Sequence, residues 1–206
     1  MQKKIEFIGF CLGWFAIITQ FILIIQNSQT DLTETIIRFF SYFTVLTNIL
    51  VALYFTSRIL GSFNKPYAIL NKKTTLTALT AFIFIVGIVY QFILRSVLES
   101  TGMKRLIDEL LHTIIPLNML IYWFVFDTKE KINFRNAAIW LLYPLFYLLF
   151  ILVRGHFSNH YPYPFLNIPE IGINKVAINS MLILILMVSV MGILIGVKNR
   201  RTKMKQ

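Results

Sequence analysis

A few polar residues in this chain sit where polar groups are costly. Arg38, Ser41, Thr44, Thr47 and Asn48 fall within eleven residues of an otherwise apolar stretch. Asp108, Glu109 and His112 open another. A Thr hydroxyl becomes a nucleophile only when a base takes its proton, and an imidazole is the side chain suited to do so near neutral pH. Together, one hydroxyl and one imidazole in an apolar setting would suit acyl transfer on an ester. Either acid, three or four residues before His112, is spaced to reach its ring on a helix, fix its tautomer and raise its basicity. Pro116 would free the His112 carbonyl and bend the helix there. His156 and His160 are the other two histidines.

Other chemistries have less to stand on. The histidines lack a close metal-ligand spacing such as His-Glu-x-x-His, and Gly-rich phosphate loops and the Gly-x-Ser-x-Gly elbow are missing. We therefore expect no metal and no cofactor. Cys11 is the only cysteine, so no intramolecular disulfide is possible. The Ser, Thr and Asn residues also have a structural reading, as hydrogen-bond glue between helices. At 100° per residue Ser41, Thr44 and Asn48 would share about 60° of arc on one helix.

The elements that carry these residues are long and apolar on every side. Of the 206 residues 57% are hydrophobic, 19 are Phe, and the 14% that are charged cluster between apolar runs. A soluble domain would spread its charges along amphipathic faces. The expected fold is all-α: a single domain forming a polytopic membrane helix bundle. Its six transmembrane helices fall at about 5–25, 36–57, 75–94, 109–126, 137–153 and 175–197. Five spans with the fifth re-entrant is the alternative, because that run is short and ends at Arg154. The run from Ile5 to Ile25 exceeds a signal-peptide core, and no small-x-small cleavage site follows it, so it reads as a retained first span.

The net charge of +11 is organised along this pattern. Fourteen Lys and Arg fall at the two ends of the chain and in the second and fourth loops, and six fall on the other side. Positive residues accumulate on the cytoplasmic face, so both termini are expected in the cytoplasm. This distribution accounts for the basic charge without a nucleic-acid partner; the expected partners are membrane lipids, whose anionic heads the basic tail would touch. The outer loop from Arg154 to Asn174 holds three prolines, which rule out a regular helix, and its aromatics suit a lid at the membrane interface. His156 would point inward beneath it.

Three segments carry a family resemblance: Phe39-Phe40-Ser41-Tyr42-Phe43-Thr44-Val45-Leu46-Thr47-Asn48, His112-Thr113-Ile114-Ile115-Pro116, and His156 followed by Tyr163-Pro164-Phe165-Leu166. In order and placement they resemble the androgen-induced-protein family of multi-pass membrane threonine hydrolases, and its bacterial members in particular. The resemblance implies a bacterial cell membrane and cleavage of fatty-acid esters of hydroxy fatty acids. It also implies Thr44 as nucleophile and His112 as its partner. Thr47 or Asn48 stands where the animal members carry Asp, and the proline follows His112 at a different spacing. On this reading Arg38, Asn48, Asp108, Glu109 and His156 would bind substrate, with Asn48, Arg38 or a backbone N–H holding an oxyanion or a substrate carboxylate. A small transporter or solute-binding membrane protein, using Arg38, Arg154 and the acids, is the rival reading. A scaffold without chemistry is the third.

Overall fold

A computed structural model describes residues 1–61, 68–70, 72, 74–97, 100–126 and 130–203. Lys65, Lys73, Lys129 and Lys205, which are among the fourteen basic residues above, lie outside the described residues. The chain is helical, and among the described residues it has no strand. Six helical stretches are long and apolar enough to cross a bilayer: Gln2–Gln26, Phe43–Leu60, Thr75–Leu94, Gly102–Phe126, Phe134–Ser158 and Ile173–Lys203. The protein is a multi-pass membrane protein with an all-α fold. The fifth stretch, which the sequence marked as short, is 25 residues long and so has the length to cross.

The helices, in chain order, are α1 (Gln2–Gln26), α2 (Leu32–Phe40), α3 (Phe43–Leu60), α4 (Thr75–Val89), α5 (Gly102–Glu109), α6 (Ile115–Phe126), α7 (Phe134–Ala138), α8 (Leu142–Ser158), α9 (Ile168–Ile171) and α10 (Ile173–Lys203). Helix α4 is the most buried and packs against α3, α6 and α10. Helices α1 and α8 lie outside it, with large apolar side chains such as Phe7, Phe15, Phe146 and Leu149 exposed. In a bilayer such faces meet lipid, so their exposure costs nothing there.

Small residues set the closest helix pair. Gly9 and Gly13, one turn apart on α1, lie against Phe55 and Ala52 of α3, and a Cβ on Gly13 would stand 3.0 Å from that of Ala52. These contacts fix α1 and α3 as antiparallel neighbours. Close backbone approach at small residues is how membrane helices gain packing energy when lipid is as apolar as the side chains.

The structure corrects the second span. It does not run from residue 36 to 57. The chain breaks at Ser41–Tyr42, and a new helix starts at Phe43. The Ser41 hydroxyl donates to the Ile37 carbonyl (2.6 Å), the Tyr147 hydroxyl donates to the Ser41 carbonyl (2.9 Å), and Tyr42 is extended. The shared helical arc for Ser41, Thr44 and Asn48 therefore does not exist. Arg38 belongs to α2 and Ser41 caps its end, whereas Thr44 and Asn48 belong to α3.

Two other segments are wider than an α-helix. Tyr90–Leu94 after α4 and Leu110–Ile114 between α5 and α6 are π-helical turns. The second lies just before Pro116, which has no N–H to offer the His112 carbonyl. Such turns interrupt the regular hydrogen-bond ladder and are common at functional sites.

Candidate functional site

The break before α3 gives Thr44 an unusual setting for a residue in an apolar helix. The first hydrogen bond of α3 runs from the Leu46 N–H to the Tyr42 carbonyl (3.1 Å). The N–H groups of Phe43, Thr44 and Val45 are therefore left over, as at any helix start. The Thr44 N–H donates to the Tyr163 hydroxyl (3.3 Å), and the two hydroxyls lie 3.4 Å apart. Thr44 is thus at the positive end of a helix, where anionic charge is favoured.

Thr44 also lines a cavity of about 410 Å³. Its walls come from α3, α4, α8, α10 and the Pro164–Leu166 turn and are almost wholly apolar, with Val86, Leu148 and Met187 representative. The polar side chains on the wall are Thr44, Tyr147, Tyr163 and Ser180. The Ser180 hydroxyl is buried without a hydrogen-bond partner. A pocket of this size and lining suits an acyl chain with one polar group along it.

The loop after α8 forms part of this wall. Tyr163, Phe165 and Leu166 line the cavity, and the Asn179 amide of α10 donates to the Phe165 carbonyl (3.1 Å). Tyr163 stacks on Phe165 and meets Tyr42 edge-on. Burial raises the Tyr163 phenol above its ordinary 10.0, so it stays protonated and can donate. The loop is not a regular helix; it folds as two single turns.

His112 lies in the second π-turn, 8% exposed. Its ring stacks on Tyr90 of the first π-turn, with centroids 4.2 Å apart. Gly87 permits this approach: a Cβ there would stand 3.0 Å from the His112 carbonyl. His112 Nδ1 lies 2.8 Å from the Asp108 carbonyl oxygen. A carbonyl only accepts, so Nδ1 carries the proton and Nε2 is the free base.

The expected acid partners of this ring are placed otherwise. Asp108 reaches it through the main chain, and the carboxylate atom Oδ2 is buried without a partner. Glu109 turns away, accepting from Thr113 (2.8 Å) and from Arg95 (2.8 Å), because a guanidinium is the stronger attraction for a carboxylate.

Asn48 joins the two halves. Its amide nitrogen donates to the Thr44 carbonyl (2.9 Å) and to the Leu111 carbonyl (3.2 Å), so Thr44 and His112 lie on elements that one side chain bridges. Both amide hydrogens are thereby used, and Asn48 cannot hold an oxyanion; its free atom, Oδ1, is an acceptor. Among the described residues that line the cavity, Thr44 is present and His112 is not.

Arg38 and His156 stand apart. Arg38 binds Glu34 one turn before it (2.7 Å), and Glu34 also takes Arg154 (2.8 Å). The hydrogen bond from Arg38, and then that from Arg154, hold the Glu34 carboxyl below its ordinary 4.5. Arg154 also donates to the His160 carbonyl (3.4 Å). The expectation that His156 points inward is corrected: it is exposed at the end of α8. Gly155, the preceding residue, faces Tyr161 so closely that a Cβ would overlap its ring. One residue on, about 100° around the helix, the side chain must face out.

Tyr163, Tyr90 and Ser180 are the contributors that residue types did not single out. Only Tyr163 had a signal, as the first residue of the Tyr-Pro-Phe-Leu segment. Among the described residues no three His, Cys, Asp or Glu side chains gather as a metal site. Compared with known family models, curated proteins and solved structures, the chain matches none.

Proposed function

We propose that this protein is an intramembrane hydrolase of lipid esters, with Thr44 as nucleophile and His112 as base. The observation that carries the reading is Thr44 itself. One hydroxyl lies at a helix N-terminus, on the wall of an acyl-sized apolar cavity, beside a protonated phenol. The resemblance to the androgen-induced-protein family points the same way.

In this reading the acyl chain fills the cavity and its ester carbonyl reaches Thr44. The Thr44 oxygen attacks the carbonyl carbon as its proton passes to His112 Nε2. The negative oxygen of the tetrahedral intermediate is met by the Tyr163 O–H and by N–H groups of the first turn of α3. The intermediate expels the alcohol, which takes the proton from His112, and leaves an acyl-Thr44 ester. Water, deprotonated by His112, then releases the carboxylic acid and restores Thr44. The bond to the Asp108 carbonyl holds the imidazole in the tautomer that this needs, and stacking on Tyr90 holds the plane of the ring.

The orientation proposed is cytoplasmic for the end that carries Lys3, Arg58, Arg135 and Arg200, with Thr44 and the cavity mouth towards the opposite face. Reporter fusions at the N-terminus and near Pro162 check this.

The decisive test is turnover of long-chain esters by the purified protein, with labelling by a fluorophosphonate probe. Thr44→Ala should lose both. Equal turnover by Thr44→Ala would exclude the covalent route. A folded protein that turns over no ester would leave the cavity as a lipid-binding site.

A further inference from the structure

Away from the apolar cavity, the junction of α1, α3 and α5 holds an unusual set of atoms. Among the described residues six buried side-chain oxygens or nitrogens have no hydrogen-bond partner, and three of them are Gln20 Oε1, Asn48 Oδ1 and Asp108 Oδ2. All three are oxygens. Buried polar atoms without partners are rare, and each asks for an explanation.

The elements that carry these residues pack together. Helix α1 contacts α3, α5 and the Leu110–Ile114 turn, and α3 contacts that turn as well. The pairings of Gly9 with Phe55 and Gly13 with Ala52 give the antiparallel register. Continued along the helices, that register sets Gln20 about three residues, or about 4.5 Å along the axis, from the level of Asn48. At 100° per residue, Gln20 falls on the same stripe of α1 as Gly9, Gly13 and Ala16. Asn48 is joined to the turn through the Leu111 carbonyl, and Asp108 lies one turn before Leu111.

The orientation of the Asn48 amide is not a matter of choice. Its nitrogen faces two carbonyls, so Oδ1 must be the atom that points elsewhere. Asn48 is fully buried and Asp108 is 5% exposed. The neighbouring donors are already engaged: His112 Nδ1 faces the Asp108 carbonyl, and Arg95 is paired with Glu109. Lys104 and Arg105 of α5 are exposed. The unpartnered atoms are one carboxylate oxygen and two amide oxygens, hard oxygen ligands of the type that binds a hard cation. A water molecule would donate at most two hydrogens and would leave the charge of Asp108 uncompensated, which is costly in an apolar interior.

We infer that Gln20, Asn48 and Asp108 form a binding site for a sodium ion at the junction of α1, α3 and α5. The ion neutralises Asp108 and ties together three helices, one of which carries Thr44 and another of which leads into His112. The site adjoins the proposed ester chemistry without sharing a reacting atom with it, and its test does not need a substrate.

The test measures the detergent-solubilised full chain in sodium chloride and in choline chloride at constant ionic strength. Raising sodium from about 1 to about 150 mM should raise the thermal midpoint by several degrees, as expected for a ligand that binds only the folded state. Radiolabelled sodium should be retained saturably, near one ion per chain. Asp108→Asn, which keeps the shape and removes the charge, should abolish both effects. Gln20→Leu, on a different helix, should weaken retention and serves as the check should Asp108→Asn fail to fold. A wild-type midpoint that is the same in both salts, with no saturable retention, overturns the proposal.

Discussion

Two buried polar clusters lie towards opposite ends of the same helices, and they differ in how completely they are partnered. At one end Glu6 of α1, 4% exposed, accepts from Tyr122, from Gln2 (3.0 Å) and from Arg58 (3.3 Å). Its ring of donors is closed, and α1, α3 and α6 are joined by it. At the other end are Thr44, Asn48, Asp108 and His112. That cluster adjoins a cavity and two π-turns, and it leaves acceptors at Asn48 and Asp108 unmatched. A cluster that is satisfied internally holds helices together; one that is not has capacity left for something else. The two clusters should therefore respond oppositely to substitution.

The largest effect expected is on catalysis at the open cluster. Thr44→Ala should lower ester turnover by at least about a hundredfold, and His112→Ala should match it. The double variant should be barely worse than either single one, because residues acting as a unit fail together. Thr44→Ser should retain part of the activity. The thermal midpoint of Thr44→Ala should stay near wild type, which separates this loss from unfolding.

Glu6→Ala should show the reverse pattern. It strips Arg58, Tyr122 and Gln2 of their common acceptor and should cost about 2 kcal/mol of stability. The figure is held low because Arg58 keeps about a third of its side chain in solvent. Thermal unfolding reads the cost, and turnover per folded molecule should be unchanged. Were turnover to fall as steeply as with Thr44→Ala, the division between the two ends would be wrong.

Tyr163→Phe sharpens the comparison within the open end. It removes one donor to the oxyanion and leaves the N–H groups of α3, so a loss of about tenfold in kcat is expected, below that for a sole donor. KM should change little, because the ring still lines the cavity.

How much of this the residues announce differs between fold and site. The six spans follow from apolar length, since lipid demands about 20 such residues whatever their order. The break at Ser41–Tyr42 does not, because no Gly or Pro marks it. It depends on Tyr147, 106 positions away, binding the Ser41 carbonyl. Thr44 and His112 were visible as polar groups in apolar runs. The Asn48 donors, the stacking of Tyr90 on His112 and the outward turn of His156 were not. Each depends on which face of a helix meets a neighbour, and a π-turn shifts that face in a way spacing alone does not reveal. Pro116 signalled a disturbance at His112, though as a bend rather than as the widened turn that sets the ring against Tyr90.

The smallest effect expected is a pH response at the clamp of Glu34 with Arg38 and Arg154, which adjoins the open end without belonging to it. The two guanidiniums hold the Glu34 carboxyl below its ordinary 4.5, so the folded chain binds a proton there less readily than the unfolded one. The clamp's contribution is then fully present above about pH 4.5, the unfolded value, and fades as pH falls through the lower folded value. Glu34 is 28% exposed and Arg38 33%, so solvent weakens the pair, and Arg154 at 9% supplies the firmer half. The thermal midpoint of the wild type should decline as pH is lowered below 4.5, and Glu34→Gln should remove that part of the decline while lowering the midpoint at neutral pH. Turnover at neutral pH should be nearly unaffected, because neither arginine lines the cavity. A large loss of turnover in Glu34→Gln at neutral pH would instead make the clamp part of the site, with Arg38 and Arg154 needed at the cavity mouth.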